Sequence, residues 1–131
     1  MNSVKGAAAL FIASFALFIS NAYAHHSAAM FDDKKVVVLE GVVKEFQWAN
    51  PHSWLIVTVP NKDGTSTSWG FEAPAGPSVL MRAGIHKGDF PVGAKVKVSG
   101  HPMRDGRPAA AWLSATRISD GKTFDPTGGI K

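Results

Sequence analysis

The sequence predicts an all-β fold with little helix: a five-stranded barrel with one short helix between its third and fourth strands. Three observations lead to it. β-Branched and aromatic stretches recur between residues 36 and 118, and Gly, Pro, Asn or Asp bounds each of them. Asp-Gly pairs at Asp63-Gly64, Asp105-Gly106 and Asp120-Gly121 mark tight turns. One segment, starting at Pro77, carries helix start and stop signals instead.

The elements follow in order. His25 to Lys34 reads as an extended arm leading into "VVVLEGVVKEF" (Val36–Phe46), the first strand. Gly41 lies at its middle, where a long strand bends or bulges. "WANPH" is a turn, because Asn-Pro favours turn initiation. In "SWLIVTV" (Ser53–Val59), Trp54, Ile56 and Thr58 face one way and Leu55, Val57 and Val59 the other. Thr67–Ala73 makes the third strand. Pro77 suits the first turn of a helix, Ser78 to Ala83 continue it, and Gly84 closes it. Lys95–His101 alternates Lys and Val, so one face is wet and one buried. Ala109–Ile118 is the fifth strand, although its alanines also suit a helix. "DGKTF" gives a last turn and a short strand, and residues 125–131 form a flexible tail. Three strands, a short helix and two strands is the order of the OB-fold, a Greek-key barrel. An open antiparallel sandwich would use the same strands.

Ahead of these elements, Lys5 precedes an apolar run from Gly6 to Ile19, and Ala22 and Ala24 form a small-x-small exit. This is the pattern of a secretory signal peptide over residues 1–24, cut between Ala24 and His25. The run is shorter than the ~20 residues that span a bilayer, so no membrane span is expected after cleavage. Removing 24 of the 131 residues leaves 107, which fits one domain over 25–124 with an arm at 25–35. Without Lys5, 13 basic residues face 10 acidic ones, a scattered net charge of +3. No basic run points to nucleic acid. The absence of cysteine excludes disulfides, thiolate metal sites and thiol catalysis. The expected compartment is the bacterial periplasm.

Cleavage after Ala24 would make His25 the first residue. Its α-amine and imidazole can then grip one ion, and a third nitrogen completes a T-shaped set, the histidine brace. Copper(II) favours such planar nitrogen coordination. In the uncut chain the same nitrogen is an amide and cannot serve. Five histidines are present: His25, His26, His52, His86 and His101. His26 is adjacent to His25, but its ring is poorly placed to bend back onto an ion held there. His52 is the better third ligand, because Pro51 restricts its backbone. Asp32, Asp33 and Glu72 are candidate carboxylates to orient an imidazole or add an oxygen. His86 and His101 read as surface residues. The bland reading stands beside this one: paired histidines suit a solvated end, and an Asn-Pro-His turn can be purely structural.

Trp48, Trp54, Trp69 and Trp112 suit a core, with indole N–H groups paired. Alternatively, Trp48 and Trp54 line a barrel mouth that binds a ligand. No Gly-x-Ser-x-Gly elbow, Gly-rich phosphate loop or haem-attachment motif occurs. Together, "HHS" at the mature start, "EGVV", "WANPH", "WGFE" and "VGAKVKVSGHP" resemble domain-of-unknown-function family 6152, small exported bacterial proteins. The resemblance covers residues 25 to 124 and implies export and a small β domain, with no settled activity. Two functions follow from the residues. One is a copper-binding accessory protein that buffers or delivers the ion, or assists a periplasmic oxidoreductase or other exported protein. The other is a metal-free module that binds a partner protein, a glycan or a small apolar ligand through its aromatic mouth. Both favour binding over catalysis.

Overall fold

The computed structural model describes residues 29–128, so the leader expected at 1–24, His25, His26 and residues 129–131 lie outside the described residues. The chain divides after Met30, and Phe31 onward forms one unit. Its elements are β1 (Val37–Gln47), β2 (Trp54–Pro60), β3 (Ser66–Glu72), α1 (Pro77–Arg82), a 3-10 turn (Lys87–Asp89), β4 (Lys95–Pro102), β5 (Ala109–Arg117) and β6 (Thr123–Phe124).

The strands neighbour one another in the order β3-β2-β1-β4-β5-β6, and a parallel pairing of β3 with β5 closes the first five into a mixed barrel. That closure sets the sandwich alternative aside. The closing seam is short, Gly70–Glu72 against Ala109–Ala111. It explains why an alanine run that suits a helix forms a strand here: the partner strand supplies hydrogen bonds, and tertiary context overrides a weak propensity. At Gly100 of β4 a Cβ would fall 2.6 Å from Ala111 O, so glycine lets the two strands press together beside the Ser99/Gly100 register shift.

β1 serves both halves of the barrel. Val37–Val42 pair with β4, and Val42–Gln47 pair with β2. Gly41 stands just before the change of partner, where a Cβ would overlap Thr58 O and fall 2.8 Å from Val57 Cγ1. The bulge is a separate feature, between Val43 and Glu45. The glycine therefore marks the bend and not the bulge.

Alternation along β2 and β4 sends Leu55, Val57, Val96 and Val98 into the core, each with no exposed surface. Aromatic rings pack among them. Phe46, Phe90 and Trp112 meet edge-on with centroids 5.4, 5.6 and 6.1 Å apart, and Phe90 lies 4.9 Å from Phe124. Burying a ring of this size contributes about 2–3 kcal/mol.

α1 is ended by a Schellman motif: Ile85 N–H donates to Leu80 O at 2.9 Å and Gly84 N–H to Met81 O at 3.0 Å. Gly84 has φ +77°, which glycine adopts without strain. Leu80 and Ile85, which this motif brings together, are both fully buried. Of the 125–131 segment, residues 125–128 form a turn in which Asp125 Oδ1 accepts from Thr127 N and Oγ1, and Pro126 is buried.

Candidate functional site

The Asn-Pro-His turn is held by the residue after it. Ser53 is fully buried, and its hydroxyl accepts from Ala49 N–H at 3.2 Å and donates to Ala49 O at 3.1 Å. That closes the turn into a loop. The Ser53 backbone then ties the loop to the β3–α1 joint, through Ser53 N–H to Ala75 O at 3.1 Å and Ala73 N–H to Ser53 O at 2.9 Å. Asn50 packs against the same joint, so closely that a Cβ at Gly76 would overlap its Oδ1. The Asn50–Pro51 peptide is cis. Asn50 and Ser53, on either side of the Pro51-His52 pair, are thus held against the joint that follows Glu72 at the end of β3.

His52 and Glu72 meet. His52 Nδ1 lies 2.7 Å from Glu72 Oε1. The carboxylate sits off the line of a ring N–H, so this nitrogen, though sealed from solvent, lacks an aligned hydrogen bond. The His52 side chain still keeps 34% of its surface and Glu72 only 13%. The open part of the ring is therefore its Nε2 side. An imidazole with one nitrogen against a carboxylate and the other toward solvent can ligate a metal or accept a proton.

The remaining predicted residues are distributed around this pair. Trp54 stands opposite Glu72 in the β2–β3 ladder, on the outer face, with its indole against Gly70. Ala109 and Ala111, in register with Gly70 and Glu72, continue that face with small side chains. Trp48 instead packs on the core, edge-on to Phe46 at 5.3 Å. The two tryptophans flanking His52 in sequence therefore lie on opposite sides of the barrel wall. Trp69 is half-buried against the core and Trp112 is buried, with its Nε1 meeting no hydrogen-bond partner.

Asp32 and Asp33 lie with basic residues at the β4 end. Phe31 bridges Met103, and Asp32 N–H donates to Pro102 O at 2.8 Å. Asp32 contacts Lys35 Nζ at 3.3 Å and Arg104 Nη1 at 3.7 Å, and Asp33 contacts Arg104 Nη2 at 3.6 Å. Partial desolvation raises the Asp32 carboxyl, but the Lys34 N–H, Lys35 and Arg104 outweigh it and hold it below its ordinary range. His101 receives a partner that sequence reasoning missed, since its Nδ1 lies 2.7 Å from Lys35 O. His86 is exposed, as expected, and its N–H donates to Asp89 Oδ2 at 2.7 Å. Among the described residues, no three His, Asp or Glu side chains converge as a metal-binding group, and no helix is long and apolar enough to cross a membrane.

Ser53 and Gly76 position the site, and sequence reasoning left both out. Only Ser53's place directly after Asn-Pro-His could have drawn attention to it. No curated protein and no solved structure matches the chain. A family profile does, over residues 12–111, from Ile12 in the apolar run to Ala111 beside Glu72. That match covers the first four strands, the helix and the turn that holds His52, and by it the chain belongs to the family of unknown function DUF6152.

Proposed function

We propose that this protein is a periplasmic metal-binding accessory protein that holds copper between the amine and ring of an N-terminal His25 and the ring of His52. The observation that carries the reading is the His52–Glu72 pair: Nδ1 is covered by a carboxylate at 2.7 Å while the Nε2 side is open. Metal-binding histidines commonly have their second nitrogen set against a carboxylate, which orients the ring. Glu72 is the carboxylate in that role, and His26 is a spare nitrogen next to the chelating residue.

The chain offers no thiolate, and imidazole with amine is a donor set that favours copper(II) over harder, oxygen-seeking cations. The role that follows is buffering the ion or handing it to an exported oxidoreductase.

The test is a Cu(II) titration of protein that begins at His25, repeated with one extra residue ahead of it. Tight one-to-one binding that is lost on extension, and lost in His52→Ala, supports the brace. Equal and weak binding by both forms overturns it. A second reading would then take over, carried by Trp54. Its indole lies on the outer face over Gly70, beside the small Ala109 and Ala111, as an aromatic platform for a glycan, a small apolar ligand or a partner protein.

A further inference from the structure

The end of the arm, residues 31–35, is fastened to one stretch of wall, residues 101–104, where β4 finishes. Phe31 is 8% exposed and bridges Met103. Asp32 N–H donates to Pro102 O at 2.8 Å, and the Asp32 and Asp33 carboxylates face Arg104 at 3.7 and 3.6 Å, contacts of small worth at a surface. A turn closed by Lys35 N–H on Asp32 O at 3.0 Å then leads the chain to β1. At the exit of that turn, His101 Nδ1 lies 2.7 Å from Lys35 O, joining residues 66 positions apart. A carbonyl only accepts, so Nδ1 carries the proton and the neutral ring's other nitrogen is bare. His101 thus fastens the arm's backbone with its side chain.

The same histidine stands on the wall that carries the candidate site. His101 is opposite Ala111, Ala111 is beside Glu72, and Glu72 is opposite Trp54. One rung therefore crosses β4, β5, β3 and β2 on the outer face. His101 and Glu72 are two strand spacings apart on it, about 10 Å, with the methyl group of Ala111 between them. Glu72 in turn covers His52 Nδ1 at 2.7 Å. We propose that His101 is a positioning residue of the metal site. By holding the Lys35 carbonyl it fixes where the arm joins the barrel, on the wall of Glu72, and so favours the meeting of His25 with His52. The inference rests on the copper reading above. An arm already fastened loses less freedom when its first residue is ligated, so the clasp raises affinity without touching the ion.

The test uses protein that begins at His25, as the parent, His101→Leu and His101→Asn, with circular dichroism verifying that each is folded. Leucine cannot donate to Lys35 O. Asparagine carries an N–H donor three bonds from Cα, as Nδ1 is, but has no imidazole. Cu(II) affinity is expected to fall about 3–10-fold in His101→Leu, the worth of one hydrogen bond, and to recover in His101→Asn. The fall is absent when one extra residue precedes His25, and absent in a His52→Ala background, because neither forms a brace for the arm to serve. In metal-free protein, amide exchange at Lys35 quickens in His101→Leu and not in His101→Asn. An asparagine variant as weak as the leucine one makes His101 a ligand and overturns the clasp. A leucine variant as tight as the parent, or one that weakens the extended form equally, overturns the clasp and leaves the brace standing. A Lys35 amide indifferent to His101→Leu overturns the clasp as well. Weak binding by the unextended parent overturns the brace itself, and this inference with it.

Discussion

β5 has a carboxylate paired with a nitrogen side chain near each end, and the two differ in what they leave open. At its last residue, Arg117 is paired through all three side-chain nitrogens: Nε and Nη2 bond Asp120 at 3.1 and 2.6 Å, and Nη1 bonds Asp89 O at 2.9 Å. The guanidinium also lies 5.3 Å from the Phe124 ring, over the aromatic core. At the other end, Ala111 stands beside Glu72, whose neighbour His52 keeps one ring nitrogen toward water. A network whose groups satisfy one another holds a fold together. A carboxylate–imidazole pair with an open nitrogen adds little to stability and keeps a ligand position. The first end is read as structure and the second as the candidate site, and substitutions can separate them.

The largest effect is expected at the closed end. Phe90 is 1% exposed and meets Phe46, Trp112 and Phe124. Phe90→Ala removes a ring from the centre of this cluster and costs about 3–5 kcal/mol, read as a shift in the urea midpoint. In whatever fraction stays folded, copper affinity is unchanged. A stability loss under about 1 kcal/mol would mean the cluster collapses to fill the void.

The next effect belongs to the open end and reverses the pattern. Glu72→Gln keeps the size of the side chain but removes the carboxylate from His52. On the proposed brace, copper affinity falls about 10–100-fold, measured by competition with a chelator of known strength. The urea midpoint moves little, because the pair lacks an aligned hydrogen bond. A large stability loss with unchanged affinity would move this pair into the structural class with Arg117.

Trp54→Ala sharpens the choice between the two readings of that end. Trp54 lies outside the core cluster, against Gly70. Its removal costs little stability, about 1 kcal/mol or less, and leaves copper affinity within about twofold. A loss of copper affinity as large as that of Glu72→Gln would show the indole is part of the metal's surroundings.

The two ends were unequally legible in the sequence. The closed end follows from patterns that sequence reasoning uses well. Lys95–His101 alternates, and the structure buries Val96 and Val98 as that alternation requires. Asp-Gly at Asp120-Gly121 announced a turn, and Gly121 takes φ +70° there. The charge network on that turn was not legible, because Asp89 is 28 residues from Arg117 and nothing local connects them. At the open end, His52 stood out as a residue type in a constrained turn. Its pairing with Glu72 depends on a barrel closing, which sequence spacing does not encode. Trp48 and Trp54 were grouped because they flank one turn. The change of direction between β1 and β2 sends one inward and the other outward. Gly41 was expected to mark a bend or a bulge, and the register distinguishes them by placing the shift at Val43/Glu45.

The smallest effect tests the closed end by pH. The Arg117 guanidinium, donating two hydrogen bonds, together with the Lys122 N–H, pulls the Asp120 carboxyl down to about 2. Its folded value thus lies below that of the unfolded chain, near ~3.9. The stabilisation is therefore fully present above about pH 4 and is lost as pH falls toward 2. Asp120→Asn removes it at every pH. The parent and the variant should differ in urea midpoint at pH 6, and the difference should shrink between pH 4 and 2. Because Asp120 is nearly half exposed, solvent and salt screen the pair, and added salt should narrow the pH 6 difference as well. No difference at pH 6 would mean that the hydrogen bond Asp120 accepts from Lys122 N–H, which an asparagine oxygen also accepts, and not the charge on Arg117, holds this turn. This end would then owe its stability to turn geometry and the aromatic core beneath it.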